Sequence, residues 1–198
     1  NASLATPGML SSAVWADVNN DKRVDLILAG EWQPIRVFRN DGEVFSEITE
    51  EAGLTYSNGW WNCIKAGDLN NDGFVDFVVG NTGKNSFFRP TPEHPVQIVA
   101  KDFDHNGSMD PVVTYYNAVE KERFIVHNRM VLIDQIPGIK KRFETFTEYA
   151  TRPFQNVFTE EELEGSFTAS AYKLESVVMI NDGGKGFTLM NLPDIAQI

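Results

Sequence analysis

The stretch Asp68-Leu69-Asn70-Asn71-Asp72-Gly73-Phe74-Val75-Asp76 is the segment from which the fold of this chain can be inferred. Its first, third, fifth and ninth side chains carry oxygen, its sixth residue is Gly, and an apolar run follows directly. Alternate residues of a tight loop point inward, and Ca²⁺ accepts six to eight oxygen ligands at about 2.3–2.6 Å. The spacing therefore predicts a calcium-binding loop.

The same spacing occurs twice more, at Asp17–Asp25 and at Asp102–Asp110. We call residues 17–25, 68–76 and 102–110 the first, second and third acidic loops. A run of apolar, strand-length sequence follows each loop, and a shorter one precedes it. A supersecondary unit that repeats along a chain is typical of solenoids and propellers.

Each loop would supply three carboxylates, one amide and one backbone carbonyl to a cation, with water completing the shell. The predicted side-chain ligands are Asp17, Asn19, Asp21 and Asp25 in the first loop, Asp68, Asn70, Asp72 and Asp76 in the second, and Asp102, Asp104, Asn106 and Asp110 in the third. The predicted carbonyl ligands belong to Arg23, Phe74 and Ser108. Ca²⁺ is the predicted cofactor, because these carboxylates repel one another without a cation.

Two other interpretations of the loops compete with a calcium site. Solvated turns would explain one copy better than they explain three copies flanked by apolar strands. An EF-hand requires a Glu at the twelfth position and helices on both sides, but the twelfth residues here are Leu28, Val79 and Val113. Lys22 replaces the Gly of the sixth position, where a positive φ would cost a residue other than Gly about 1 kcal/mol. The first loop is therefore predicted to be the weakest site and the second the most complete.

Composition limits the function classes. A net charge of −11 argues against nucleic-acid binding, which needs a basic face. The single Cys63 allows no intrachain disulfide, and no apolar run is long enough to span a bilayer. His94, His105 and His127 are scattered and form no catalytic motif, so we predict no catalytic residue and no enzyme.

The strand pattern predicts an all-β fold: a partial β-propeller of about three four-stranded antiparallel blades, with a short helical insertion in the third. The expected divisions are a lead-in at 1–12, blade 1 at 13–58, a short blade 2 at 59–95, blade 3 at 96–190, and the start of a truncated next blade at 191–198. Three blades cannot close a ring. We therefore expect a fragment, an open arc, or self-association through open blade edges.

The helical insertion is predicted at about 128–164, where apolar residues take helical spacing. Thr145 with Glu148 and Thr159 with Glu162 have the spacing of capping boxes. The hairpin from Ser176 to Met190 is predicted to complete the third sheet after this insertion. A short strand at Ser86–Phe88 is predicted to belong to the second.

Paired aromatic residues leave two interpretations open. Trp60-Trp61 and Tyr115-Tyr116 would pack between blades, since neighbouring strand residues face opposite sides. Alternatively they would form a stacking platform for sugar rings or a protein partner.

The three loops and their strands resemble the FG-GAP/VCBS repeats of calcium-binding β-propellers. The stretches Trp32–Phe38, Gly59–Asn62, Pro111–Asn117 and Asp134–Phe143 are similar to bacterial VCBS-repeat proteins that carry ASPIC/UnbV-type domains. This resemblance implies an exported protein, periplasmic, outer-membrane-associated or extracellular, and it implies no defined activity.

Two functions are compatible with these features. The first is a non-catalytic, calcium-stabilised propeller module of an exported or cell-surface bacterial protein, which presents loops to a protein or glycan partner. The alternative is a structural part of a larger carbohydrate-active or other enzyme whose catalytic residues lie outside this chain.

Overall fold

The computed structural model describes residues 2–197 as a mostly β protein built from antiparallel sheets. The chain divides into two compact units, one formed by the residues up to Pro92 and those from Ala171, the other by Glu93–Ser170. The predicted all-β class with four-stranded antiparallel sheets of the propeller-like kind is confirmed.

Strands account for most of the regular structure in the described residues. They are β1 (Met9–Ala16), β2 (Asp25–Gln33), β3 (Arg36–Asn40), β4 (Phe45–Glu47), β5 (Gly59–Trp60), β6 (Cys63–Gly67), β7 (Asp76–Gly80), β8 (Val96–Lys101), β9 (Asp110–Asn117), β10 (Glu122–Ile125), β11 (Phe167–Ala171), β12 (Val177–Asn181) and β13 (Phe187–Asn191). The helices are α1 (Ala2–Ala5), α2 (Arg129–Gln135), α3 (Ile139–Arg142), α4 (Phe146–Ala150) and α5 (Glu160–Leu163), with 3-10 turns at Phe154–Asn156 and Asp194–Ala196.

The first sheet has the spatial order β1-β2-β3-β4, and β5 also pairs with β2. The first acidic loop joins β1 to β2, as the repeat pattern predicts. The predicted lead-in over residues 1–12 is wrong in part, because Ala2–Ala5 form a helical turn and residues 9–12 belong to β1. β1 begins already at Met9, which pairs with Glu31 across the sheet.

The second sheet corrects the predicted order of strands. Its order is β13-β12-β7-β6, and Val177, Val178 and Met179 of β12 pair with Val79, Val78 and Phe77 of β7. The closing hairpin therefore completes the second sheet, and the prediction that it completes a third blade spanning 96–190 is wrong. The predicted strand at Ser86–Phe88 is also wrong, because residues 86–88 form no strand. The strand that pairs with β7 on this side is β12.

The apolar residues of the first two sheets share one core. Ile27 and Val37 of the first sheet are fully buried in the same cluster as Phe77 and Met179 of the second. Their neighbours along the strand face the other side of the sheet, because successive strand residues point to opposite faces. Burial in this cluster gives a physical reason for the β7–β12 pairing, because β12 contributes Val177 and Met179 to it.

The second unit combines its own sheet with the predicted helices. The sheet order is β10-β9-β8-β11, and the third acidic loop joins β8 to β9. α2 to α5 fall within the predicted stretch 128–164, and the capping boxes at Thr145 with Glu148 and at Thr159 with Glu162 are confirmed. Leu132, Ile139 and other helical residues pack with Val99 and Val112 of the sheet in one core. None of the helices in residues 2–197 has the length and apolar character needed to cross a membrane.

Candidate metal centre

Three carboxylates converge at the third acidic loop. One oxygen each from Asp102, Asp104 and Asp110 lies within 4.8 Å of the other two. Two ligands on opposite sides of Ca²⁺ stand at most about 5 Å apart when each bond is about 2.3–2.6 Å. The three oxygens are therefore spaced as ligands of one calcium ion would be, and an all-oxygen donor set suits this hard cation.

The fold fixes this site through the ninth position of the loop. Asp110 is the first residue of β9, it is buried, and its Oδ2 accepts a hydrogen bond from the Phe103 backbone N–H at 2.9 Å. Its Oδ1 accepts no hydrogen bond from the residues that the structure describes. One oxygen thus holds the loop closed while the other is available to a cation.

The ninth residues of the other two loops are more fully engaged. Asp25 accepts hydrogen bonds from the backbone N–H groups of Val18 and Asn40, at 2.9 and 2.8 Å. Asp76 accepts from Leu69 and Asn181, at 2.9 and 2.8 Å. Each oxygen of these two carboxylates accepts one backbone hydrogen bond, whereas only one oxygen of Asp110 does.

All three loops share a backbone conformation. The fourth and sixth residues have positive φ, namely Asn20 (59°), Lys22 (69°), Asn71 (60°), Gly73 (85°), His105 (59°) and Gly107 (89°). This conformation turns the sixth N–H inward, where it donates to the first Asp of each loop. The positive φ expected at Lys22 is confirmed, and only Gly adopts it without steric cost.

Replacing Lys22 with Gly is expected to raise the free energy of unfolding by about 1 kcal/mol, because it relieves a left-handed conformation. Gly107→Ala is the matched reverse change and should lower the free energy of unfolding by a similar amount, because Gly107 has a φ of 89°. An added Cβ there would meet no atom within 4 Å, so no steric clash adds to this backbone effect. Urea denaturation of the calcium-free protein measures both. A Lys22→Gly variant less stable than the parent would contradict the idea that the positive φ of Lys22 strains the backbone.

The first loop already contains a cationic side chain. Arg23 Nη2 lies 2.6 Å from Asp21 Oδ2, and Arg23 Nε donates to the Asn40 carbonyl at 2.7 Å. The Arg23 backbone N–H, the Asn19 amide and the Arg23 charge hold the pKa of Asp21 below its ordinary value. Asp21, one of the carboxylates that calcium would need, is therefore already paired with a guanidinium.

The second loop turns an amide nitrogen toward its own carboxylate. Asn70 Nδ2 donates to Asp72 Oδ2 at 2.8 Å, and the carboxylates of this loop do not converge as those of the third loop do. In the third loop, the Gly107 backbone N–H lowers the pKa of Asp102, which favours the ionised ligand. Among the described residues, the geometry thus places the third loop first, whereas sequence spacing ranks the second loop first.

Asn181 connects the first two loops, and sequence reasoning missed it. Its Nδ2 donates to the carbonyls of Val18 in the first loop and Val75 in the second, at 2.8 and 3.2 Å. Asn20 adds a direct contact, since its amide donates to the Gly73 carbonyl at 3.1 Å. Asn181 begins the sequence Asn-Asp-Gly, which indicates a turn but not what the Asn side chain contacts.

The residues weighed as binding platforms have varied environments. Trp61 is fully buried and its Nε1 donates to the Ser57 carbonyl at 2.9 Å, so the packing interpretation holds for it. Trp60 packs edge-on against Trp32, with ring centroids 5.0 Å apart. The ring of Tyr116 is stacked on the ring of His94, with ring centroids 3.6 Å apart.

The three histidines have different environments. His105 lies in the third acidic loop and is exposed, whereas His94 packs on a tyrosine ring. Burial lowers the pKa of His127, so this side chain favours its neutral form.

Comparison with known families bears on the first part of the chain. Residues 7–79 match the family model described as an FG-GAP-like repeat. The matched region contains the first two acidic loops and the strands that flank them. No curated protein matches the chain. The match supports the FG-GAP/VCBS repeat family for this region, and the sheets around it are of the propeller-like kind.

Proposed function

We propose that this chain is a calcium-stabilised, non-catalytic propeller-like module of an exported or cell-surface bacterial protein, which presents its loops to a protein or glycan partner. The observation that carries the proposal is the convergence of the Asp102, Asp104 and Asp110 carboxylates within 4.8 Å. Calcium held there would offset the repulsion between three carboxylates and would tie β8 to β9.

A calcium site in an exposed loop agrees with an exported protein. Calcium sites of extracellular modules have dissociation constants of about 10⁻⁴–10⁻³ M, so they fill where calcium is abundant. The third loop is short, and most of its residues are exposed. The region that matches an FG-GAP-like repeat contains two further loops of the same spacing, which supports a shared structural role for all three.

Calcium is expected to raise the thermal midpoint of the chain, and a chelator is expected to lower it. Calcium at about 100 times the dissociation constant stabilises a folded protein by about 2.7 kcal/mol per site. For a chain of this size that corresponds to an increase of about 5–10 °C. Differential scanning calorimetry in calcium, in magnesium and in chelator measures it, with magnesium as the control for ionic strength. A midpoint that chelation leaves unchanged would contradict calcium stabilisation.

A further inference from the structure

A cavity of about 70 Å³ lies where the first sheet meets the β12–β13 hairpin, within the unit formed by the residues up to Pro92 and those from Ala171. Its apolar lining comes from Val18, Ile48, Ala52 and Phe187, of which all but Ile48 are buried. One water molecule needs about 10–15 Å³ of such volume, so the cavity has room for about five to seven waters or for a small organic molecule of similar size.

Two residues of opposite charge line this cavity. The Phe187 backbone N–H donates to the Ala52 carbonyl at 3.0 Å, and this bond brings the preceding residues of both segments, Glu51 and Lys185, to the cavity. Both are exposed, and neither side chain forms an ion pair or a hydrogen bond within residues 2–197. An unpaired carboxylate and an unpaired ammonium group are therefore available to one ligand.

The hairpin turn adds backbone donors on the side of Lys185. The N–H groups of Lys185 and Gly186 donate no hydrogen bond in the part of the chain that the structure describes. The neighbouring Gly184 N–H, by contrast, donates to Asn181 Oδ1 at 2.7 Å. Unpaired backbone N–H groups beside an ammonium group favour an anionic ligand group such as a carboxylate.

Arg39 is the third charged residue at the cavity, and protein carboxylates already neutralise it. Its Nε donates to Asp41 Oδ1 at 2.8 Å, and this bond raises the pKa of Arg39. The negative charge of Glu51 adds to the rise in pKa, so this carboxylate lies near the cavity side of the guanidinium. Lys185 is therefore the cation that remains for a ligand.

We propose that this cavity, which we call the sheet-junction cavity, binds a small α-amino acid. The carboxylate of the ligand would accept hydrogen bonds from the Lys185 ammonium and from the N–H groups of Lys185 and Gly186. Its ammonium group would pair with Glu51, and a small apolar side chain would pack on Val18 and Ile48. A ligand with only one of the two charges would leave Glu51 or Lys185 unmatched. The site is separate from the third acidic loop and needs no calcium, so this proposal and the calcium proposal can fail independently.

The test is isothermal titration calorimetry of the full chain with L-valine, isobutylamine and isovalerate. Isobutylamine lacks the carboxylate of valine, and isovalerate lacks its ammonium group. Valine is expected to bind with a dissociation constant of about 1 mM or lower, which is within the reach of so small a ligand. Each analogue is expected to bind at least about tenfold more weakly, because it loses hydrogen bonds between charged groups.

Two charge-removing variants test the location of the site. Lys185→Met and Glu51→Gln are each expected to weaken valine binding at least about fivefold. Lys65→Met and Glu50→Gln are the matched controls, because they remove the same charges at exposed positions that do not line the cavity. These controls are expected to bind valine as the parent does, in calcium and in chelator alike.

Several results would overturn the proposal. No heat of binding with valine, alanine or leucine at about 10 mM would leave the cavity to water alone. Isovalerate that binds as tightly as valine would show that the site recognises a carboxylate without an ammonium group. Equal losses of affinity in Glu51→Gln and Glu50→Gln would place the binding outside the sheet-junction cavity.

Discussion

Replacing Trp61 with Ala is expected to lower the free energy of unfolding by about 3–5 kcal/mol, the range for removal of a large buried aromatic side chain. Trp61 is fully buried in the core that the first two sheets share, and its Nε1 hydrogen bond to Ser57 would also be lost. Chemical denaturation followed by circular dichroism measures the change.

Trp15→Ala is the control for this substitution. Trp15 is 57% exposed and packs edge-on against Phe45, with ring centroids 5.8 Å apart. We expect its removal to cost less than about 1 kcal/mol, since little apolar area leaves the interior. Equal losses for the two variants would contradict the burial of Trp61 between the sheets.

Asn181→Ala is expected to cost about 3 kcal/mol of stability. The change leaves the Val18 and Val75 carbonyls without their donor and removes the acceptor of the Gly184 backbone N–H. Each buried polar group that loses its partner costs about 1–3 kcal/mol. Urea denaturation measures the loss.

Asn191→Ala is a matched change on the next strand. Asn191 accepts a hydrogen bond from the exposed Lys173 ammonium, so its loss should stay within about 0.5 kcal/mol. If Asn181→Ala were as mild, the hairpin would not connect the first two loops. The result therefore also tests the corrected assignment of β12 to the second sheet.

Features set by neighbouring residues could be predicted from the sequence. The capping boxes at Thr145 and Thr159, the loops between paired strands and the positive φ at Lys22 each depend on contacts within a few residues. Their residue types and spacings therefore identify them. The all-β class follows from the same local patterns, because strand length and apolar runs recur after each loop.

The pairing of β12 with β7 could not be predicted in this way. Val177 and Val79 lie about 100 residues apart, and nothing local distinguishes the edge of β7 from the edge of β9 as a partner. What decides the pairing is burial of Val177 and Met179 in the core of the first two sheets. The inserted second unit separates the two halves of the second sheet in the sequence.

The ranking of the loops also depended on contacts that spacing does not reveal. The Arg23 guanidinium pairs with Asp21, and each oxygen of the ninth carboxylates of the first two loops accepts a backbone hydrogen bond. A basic residue at the seventh position was the available signal for the first loop. For the second loop, the contact of Asp76 with Asn181 comes from a strand far along the chain.

Calcium titration by isothermal calorimetry, comparing the parent chain with Asp104→Asn, tests the calcium site of the third loop most directly. Asp134→Asn, at an exposed position of α2, is the control that removes the same charge outside the loops. We predict that the parent and Asp134→Asn bind calcium alike, and that Asp104→Asn loses one site or binds at least tenfold more weakly. Identical isotherms for all three proteins, or no binding at millimolar calcium, would contradict a calcium site formed by Asp102, Asp104 and Asp110.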